Sequence, residues 1–513
     1  MSPEALARAL DDFLADARSA VVLEGGEAIF DFANARYSIS SDHGKCVLHI
    51  WSEERNTVRR VLDAEARAGS LRLTVQRFGQ ARPAKLEICR ERDRRSPTAR
   101  RAARAAYHRL LGRVLECNFP DFTVERLSTS ADLERSFSAV YARGLLRRGN
   151  RAFAVLGVNA KEMQAAIDAA LTFGLLWLDS CRQATSARAA VVGLKLFVPA
   201  GTSAVVGQRM AHLNHAAAHF ELYELEERDR TLEPVDCSDR GNIATRLVRC
   251  PDAGKVRERF ATSIRRVLEI VPDAEVAVLS SAEVALRLRG LEFARARIVP
   301  EPGSFRNVEQ IVFGAVGREV RLDELSADDF ADFVRLLATR RADGPRDHPF
   351  WRAQPERWLE SLVSRDVTVI DSRLDPGCVY SQVPAFSASD RAMIDILASS
   401  GDGRLAVLEL KAEEDIHLPL QGLDYWARVA WHHARGEFKQ FGYFPGRELS
   451  PGLPLLFLVA PALHVHPTTD ALLRYLAPEI EWELVGIGER WREGVRVVFR
   501  KRRERGLTAA GRS

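Results

Sequence analysis

Three charged side chains in the last third of the chain have the types and spacing that hydrolytic chemistry requires: Asp395, Glu409 and Lys411. The stretch LAVLELKAEED is apolar up to Glu409 and carries Lys411 two residues on. Residues two apart on a strand project from one face, so Glu409 and Lys411 share a side while Leu408 and Leu410 face the other. Asp395 lies in the apolar run MIDIL, and the short Gly-rich segment ASSGDG links that run to the next, which predicts a hairpin with the two strands side by side. A carboxylate flanked by isoleucines is costly unless it is paired or binds a cation. Asp395 and Glu409 offer the hard oxygen ligands that Mg2+ or Mn2+ take, with the Leu410 carbonyl as a third. Lys411 beside such an ion can assist deprotonation of a bound water or stabilise charge on an attacked phosphate. Lysine is scarce, 8 of 74 basic residues, so its retention at 411 marks a place where a guanidinium, a poor proton acceptor, does not substitute. Plainer assignments stay open: Glu409 and Lys411 as a strand-edge ion pair, and Asp395 as a partner of Arg391 or Arg404.

Asp395 followed by Glu409-x-Lys411 resembles the PD-(D/E)xK nuclease superfamily, in which an Asp and an E-x-K on adjacent strands hold the metal. The helix expected next carries Gln421 and Tyr425 in QGLDY, similar to the Q-x-x-x-Y motif of the RecB-like branch, and residues i and i+4 share a helix face. The resemblance implies catalytic roles for Asp395, Glu409, Lys411, Gln421 and Tyr425. It also implies metal ligation by Asp395 and Glu409, with Glu360, in the expected helix QPERWLESLVSRD, matching the acidic residue that many such nucleases place upstream; Glu356 competes for that role. The resemblance covers residues 350 to 500, and it departs from the pattern in having Ile394, not proline, before the Asp. The implied fold is mixed α/β and multidomain, with a C-terminal restriction-endonuclease-like αβββαβ core around a mixed central sheet. The implied activity is Mg2+- or Mn2+-dependent hydrolysis of phosphodiester bonds in DNA, with RNA as the other candidate substrate. A catalytically silent nucleic-acid-binding or scaffold protein retaining the same core is the alternative.

The rest of the chain must fold around those residues. At 513 residues, 46% hydrophobic and 28% charged, the chain is too long for one core and too apolar for wholesale disorder. Four spans suggest themselves: 1–130 with strand-like runs and an Arg-rich helix, 131–345 as a middle α/β region, 346–505 as the nuclease-like domain, and 506–513 as a flexible tail. ADLERSFSAVYARGLL predicts a helix, VTVIDS a strand, and RRADGPRDHP a linker, because it stacks Gly, Pro and charge without an apolar period. The net charge of +4 is too modest to prove a polyanionic partner. Local clustering is stronger: Arg94, Arg95, Arg100, Arg101 and Arg104 form either a phosphate-facing patch or a solvated helix face. The N-terminal regions are candidates for substrate or protein-partner recognition.

Seven scattered cysteines with no CxxC pair fit a reducing cytoplasm, and no secretory signal or membrane-spanning run is legible. The pair His464 and His466 reads as a strand-end pair more readily than as metal ligands, and His432 is expected on the surface, just within reach of the site. The basic run FRKRRERG is either a frayed end or a hold on phosphate. No P-loop, HExxH zinc motif or nucleophile elbow is present.

Overall fold

A computed structural model describes residues 2–503 apart from 16–19, 25–26, 33–34, 42–43, 53–55, 68–69, 78–82, 90–96, 133–134, 185–188, 239–244, 302–305, 315–318, 343–345 and 388–392. The described chain is mixed α/β and builds four sheets. Residues 21–89 form a seven-stranded antiparallel sheet. Its strand CVLHIW buries Cys46, Leu48 and Ile50 and leaves the residues between them half-buried, the two-residue period of a one-sided sheet. Helix Pro3–Ala15 closes that side with Leu6, Leu10, Phe13 and Leu14, spaced as one helical stripe. A five-stranded antiparallel sheet between residues 275 and 321 packs with helices Ala253–Arg259, Ala261–Leu268 and Ala327–Ala342 around Phe260, Phe293 and Phe330.

The two remaining sheets are mixed. The first is preceded by helix α1 (Pro97–Asn118) and comprises β1 (Thr123–Ser128), β2 (Tyr141–Arg148), β3 (Arg151–Val158), then helix α2 (Ala170–Gln183), β4 (Ala190–Pro199), the short helix α3 (Ala204–Met210), β5 (His219–Glu226) and β6 (Thr231–Val235). The second gains an edge strand, β7 (Thr245–Leu247). The chain then makes the five-stranded unit and returns through helix α4 (Pro355–Arg365) to β8 (Leu374–Ser387), β9 (Met393–Ser400) and β10 (Leu405–Leu410). Helix α5 (Leu418–Ala434), β11 (Leu455–Pro461), the short helix α6 (Thr469–Leu473), β12 (Trp482–Ile487) and β13 (Val497–Arg502) complete it. The order is β7-β8-β9-β10-β11-β12-β13, antiparallel except for the parallel pairs β10/β11 and β11/β12. Every residue of β10, β11 and β12 is buried. Such strands read as continuous apolar runs because helices cover both faces: α5 and α6 on one side, α4 on the other.

Several expectations are corrected. ADLERSFSAVYARGLL is no helix: its second half is strand β2, whose Tyr141 and Ala142 are buried in the sheet. VTVIDS forms a 3-10 turn at Val367–Val369 in place of a strand. Arg341, at the end of helix Ala327–Ala342 where the expected linker begins, is fully buried and donates to the carbonyls of Leu288, Arg289, Phe350 and Ala353 at 2.7–3.1 Å. A guanidinium with its donors spent on four carbonyls pins the five-stranded unit to the approach of α4. All seven cysteines are free, and no helix of the described residues is long and apolar enough to cross a membrane.

Candidate active site

The hairpin β9–β10 pairs Ile396 with Leu408, and one step further in that register Asp395 stands opposite Glu409. The Leu410 N–H donates to Asp395 Oδ2 at 3.0 Å. Glu409 is completely buried, and among the described residues no backbone N–H reaches its carboxylate. Its nearest cation is Lys411, with Nζ 3.3 Å from Oε1. The Lys411 N–H donates to the Val459 carbonyl at 2.9 Å, which fixes the lysine just past the end of β10. Its ammonium also lies 3.7 Å from Glu356 Oε1 and 3.7 Å from Asp415 Oδ2. The three expected residues therefore meet at one strand end, with Glu356 and Asp415 added.

Glu360 comes up from α4 and is buried. Its Oε2 accepts from Arg357 Nη1 at 3.1 Å and from Gln382 Nε2 at 2.5 Å. Gln382 had no place in the sequence reading. It lies opposite Asp395 on β8, between the pairs Ser381–Ile396 and Val383–Ile394, and its amide also reaches Asp395 Oδ1 at 3.5 Å. Its φ of +55° is unusual for a residue with a side chain and costs on the order of 1–3 kcal/mol, which the surrounding contacts must hold in place. A polar residue inside the run CVYSQVPAF was the only signal available in the sequence.

Helix α5 sets the last two expected residues. A Cβ added to Gly422 would sit 2.4 Å from Leu458 Cδ2 and 3.3 Å from Leu456 Cδ1, so the missing side chain lets the helix lie directly on β11. That close approach brings Tyr425 into the buried interior, and the Gln421 amide donates to its hydroxyl at 3.4 Å. Asp424, between them in sequence, is held by Arg209 of α3 at 2.6–3.2 Å in a forked pair that ties the first mixed sheet to this helix.

Burial pushes the Glu409 carboxyl well above the usual range, and neighbouring Asp395 adds to the rise against the pull of Lys411. Asp395 is raised by the same desolvation, and Glu360 reaches about 8, again through burial, with Arg357 opposing and Asp395 adding. Burial alone would lower the Lys411 ammonium, but Glu409, Glu356, Asp415 and Asp395 outweigh it and hold the lysine above its ordinary value. The cluster sets Asp395, Glu409, Glu356, Glu360 and Asp415 against Lys411 and Arg357, an imbalance that favours a cation. Among the described residues no group of three or more His, Cys, Asp or Glu is placed to hold a metal ion.

Other expected residues lie elsewhere. Arg94 and Arg95 fall outside the described residues, as does the side chain of Arg100. Arg101 is exposed, and Arg104 is spent on Glu162 at 2.7 Å. His432 is buried, not superficial, and bonds Thr245 and Glu437. His464 and His466 face separate acids, Glu489 and Glu414. The basic strand β13 pairs Arg500 with Glu483 and Lys501 with Asp470, while Arg503 donates to the carbonyls of Leu476 and Ala477.

No protein-family model matches the chain, and no curated protein does. Among solved structures, a repair endonuclease from Pyrococcus abyssi aligns with 44% of this chain and 96% of its own at 13% identity and a TM-score of 0.18, an overlap too loose to argue from.

Proposed function

We propose that this chain is a metal-dependent phosphodiesterase that cuts nucleic acid, DNA first, with a restriction-endonuclease-like core formed by α4 to β13. The observation that carries the reading is Glu409: a fully buried carboxylate set beside a second one, Asp395, with the Lys411 ammonium 3.3 Å from one of its oxygens. Such a group is expensive to keep unless a cation repays it. Asp395 and Glu409 fit a Mg2+ or Mn2+ ion, whose octahedral shell takes one or two carboxylates and leaves the remaining places to water and phosphate. The ion, when bound, supplies Lewis acidity to a phosphate oxygen. Lys411 stabilises the negative charge that grows on the attacked phosphate. Gln421 and Tyr425 orient the phosphate or the lysine, while Gln382 and Glu360 hold Asp395 in position. In balance, a water oxygen forms one bond to phosphorus, one ester P–O bond breaks, and the proton lost by water ends on the departing oxygen.

The competing reading is a scaffold that binds nucleic acid without cutting it. Wild type, Lys411→Ala and Asp395→Asn should be incubated with linear DNA, circular DNA and RNA in Mg2+ or Mn2+. Scission by wild type that disappears in both variants supports the enzyme. Unchanged nucleic-acid binding with no scission by any of the three supports the scaffold.

A further inference from the structure

The first mixed sheet repeats the second. Its order is β6-β5-β4-β3-β2-β1, and, as in the site-bearing sheet, an antiparallel three-strand meander is followed by two parallel pairings and a final antiparallel strand. A helix leads each sheet, a long helix follows the third meander strand, and a short one follows the fourth strand of the repeat. The likeness reaches single residues. Leu196 pairs with Leu156 on one side and Leu222 on the other, as Leu458 pairs with Glu409 and Leu484. Gly174 of α2 lies against Leu194 and Leu196, where a Cβ would come within 2.9 and 3.4 Å, just as Gly422 of α5 lies against Leu456 and Leu458. Around those glycines the sequence reads FGLLWL in one helix and QGLDYW in the other.

This alignment assigns counterparts to Asp395, Glu409, Lys411, Gln421 and Tyr425. Glu409 corresponds to Leu156, and Asp395 to Arg143, which is paired with Leu156. Lys411 corresponds to Val158, Gln421 to Phe173 and Tyr425 to Trp177. None of these five counterparts is a carboxylate. The Arg143 guanidinium instead lies over the Phe137 and Trp177 rings, 4.5 and 5.6 Å from their centroids.

The two units also meet as a dimer would. Leu213, between α3 and β5, forms an antiparallel bridge with Leu476, between α6 and β12. The contact is reciprocal: the Asn214 N–H donates to the Tyr475 carbonyl at 2.8 Å, and the Ala477 N–H to the His212 carbonyl at 2.9 Å. Equivalent residues touching each other's equivalents is the signature of a two-fold axis. The N-terminal ends of α2 and α5 also approach each other, through Thr172 and His417. Those ends follow β3 and β10, the strands that carry Leu156 and Glu409.

We propose that residues 97–235 are a catalytically blank copy of residues 355–503, and that the pair presents a two-lobed face with one cutting centre to duplex nucleic acid, breaking one strand per encounter. The strands of a duplex are themselves related by two-fold axes, which a two-fold protein matches. The inference rests on the nuclease reading above.

The test is limiting full-length protein on supercoiled plasmid in Mg2+ or Mn2+, and on a blunt duplex, DNA or RNA, with a distinct label on each strand. Nicked circle accumulating before any linear form, with the two labelled strands cut independently, is the expected result. Linear product from the outset would overturn the proposal while leaving the nuclease reading intact. Lys411→Ala and Asp395→Asn, each checked by thermal melting, should lose all scission. Residual nicking in both would place chemistry in the first unit and overturn its blankness. No scission by wild type on any substrate would remove the nuclease reading and this inference with it.

Discussion

Glu409 is under two opposed demands. Its complete burial and the adjoining Asp395 charge work against the fold and are only partly offset by Lys411, while the same features prepare it for a divalent ion. Glu409→Gln should therefore raise the melting temperature of the metal-free protein, by an amount corresponding to about 1–3 kcal/mol, and abolish scission. Added Mg2+ or Mn2+ should stabilise wild type by mass action and leave the variant's melting curve in place. His432 makes a second prediction. Burial pushes its imidazole below the ordinary value of 6.5 despite the pull of Glu437, so the native state resists a proton that the unfolded chain accepts. This contribution to stability is complete above that value and is lost as pH falls below it, at a slope of at most about 1.4 kcal/mol per pH unit. Melting between pH 7 and pH 5 should show a shallower decline for His432→Gln than for wild type. Asp395, Glu409 and Lys411 were legible because strand alternation acts over two residues and a short hairpin brings neighbours together. Gln382 was not legible, because its reach to Glu360 and Asp395 depends on a backbone conformation at φ +55° that no local pattern announces.

At the level of elements, α5 holds Gln421 and Tyr425 in place only as well as it lies on β11. Gly422→Ala would put a methyl group 2.4 Å from Leu458 Cδ2. Overpacking of that kind costs about 1–3 kcal/mol, and the lifted helix should lower kcat more than it weakens nucleic-acid binding, measured by single-turnover cleavage beside a binding titration. Helices with clear apolar stripes and strands bounded by Gly or Asp were readable. ADLERSFSAVYARGLL was misread because its apolar residues fit a helical period, while the pairing partners that make Tyr141–Arg148 a strand lie in β1 and β3. Tertiary pairing overrode local preference there. The same blindness to distance hid the anchoring of Arg341, whose carbonyl partners include Leu288 and Arg289, more than fifty residues away.

At the scale of the whole molecule, a largely buried guanidinium and a fully buried one join the units. Arg209 grips Asp424 of the site-bearing unit, and Arg341 joins the five-stranded unit to the approach of α4. Removing either leaves buried partners unpaired. Arg209→Ala should cost about 3–5 kcal/mol and slow scission, because Asp424 adjoins Tyr425. Arg341→Met should cost several hydrogen bonds of about 1 kcal/mol each and free the five-stranded unit, seen as faster amide exchange in residues 275–300 ahead of the β9–β10 hairpin. Neither link was visible in the sequence, since each joins segments that local periodicity cannot relate.

The reciprocal bridge between Leu213 and Leu476 joins two stretches of a single polypeptide. Its halves therefore meet at an effective concentration set by the intervening chain and not by the amount of protein in solution. An assembly tethered in this way loses nothing on dilution, and its specific activity should stay level down to concentrations at which two separate chains would drift apart.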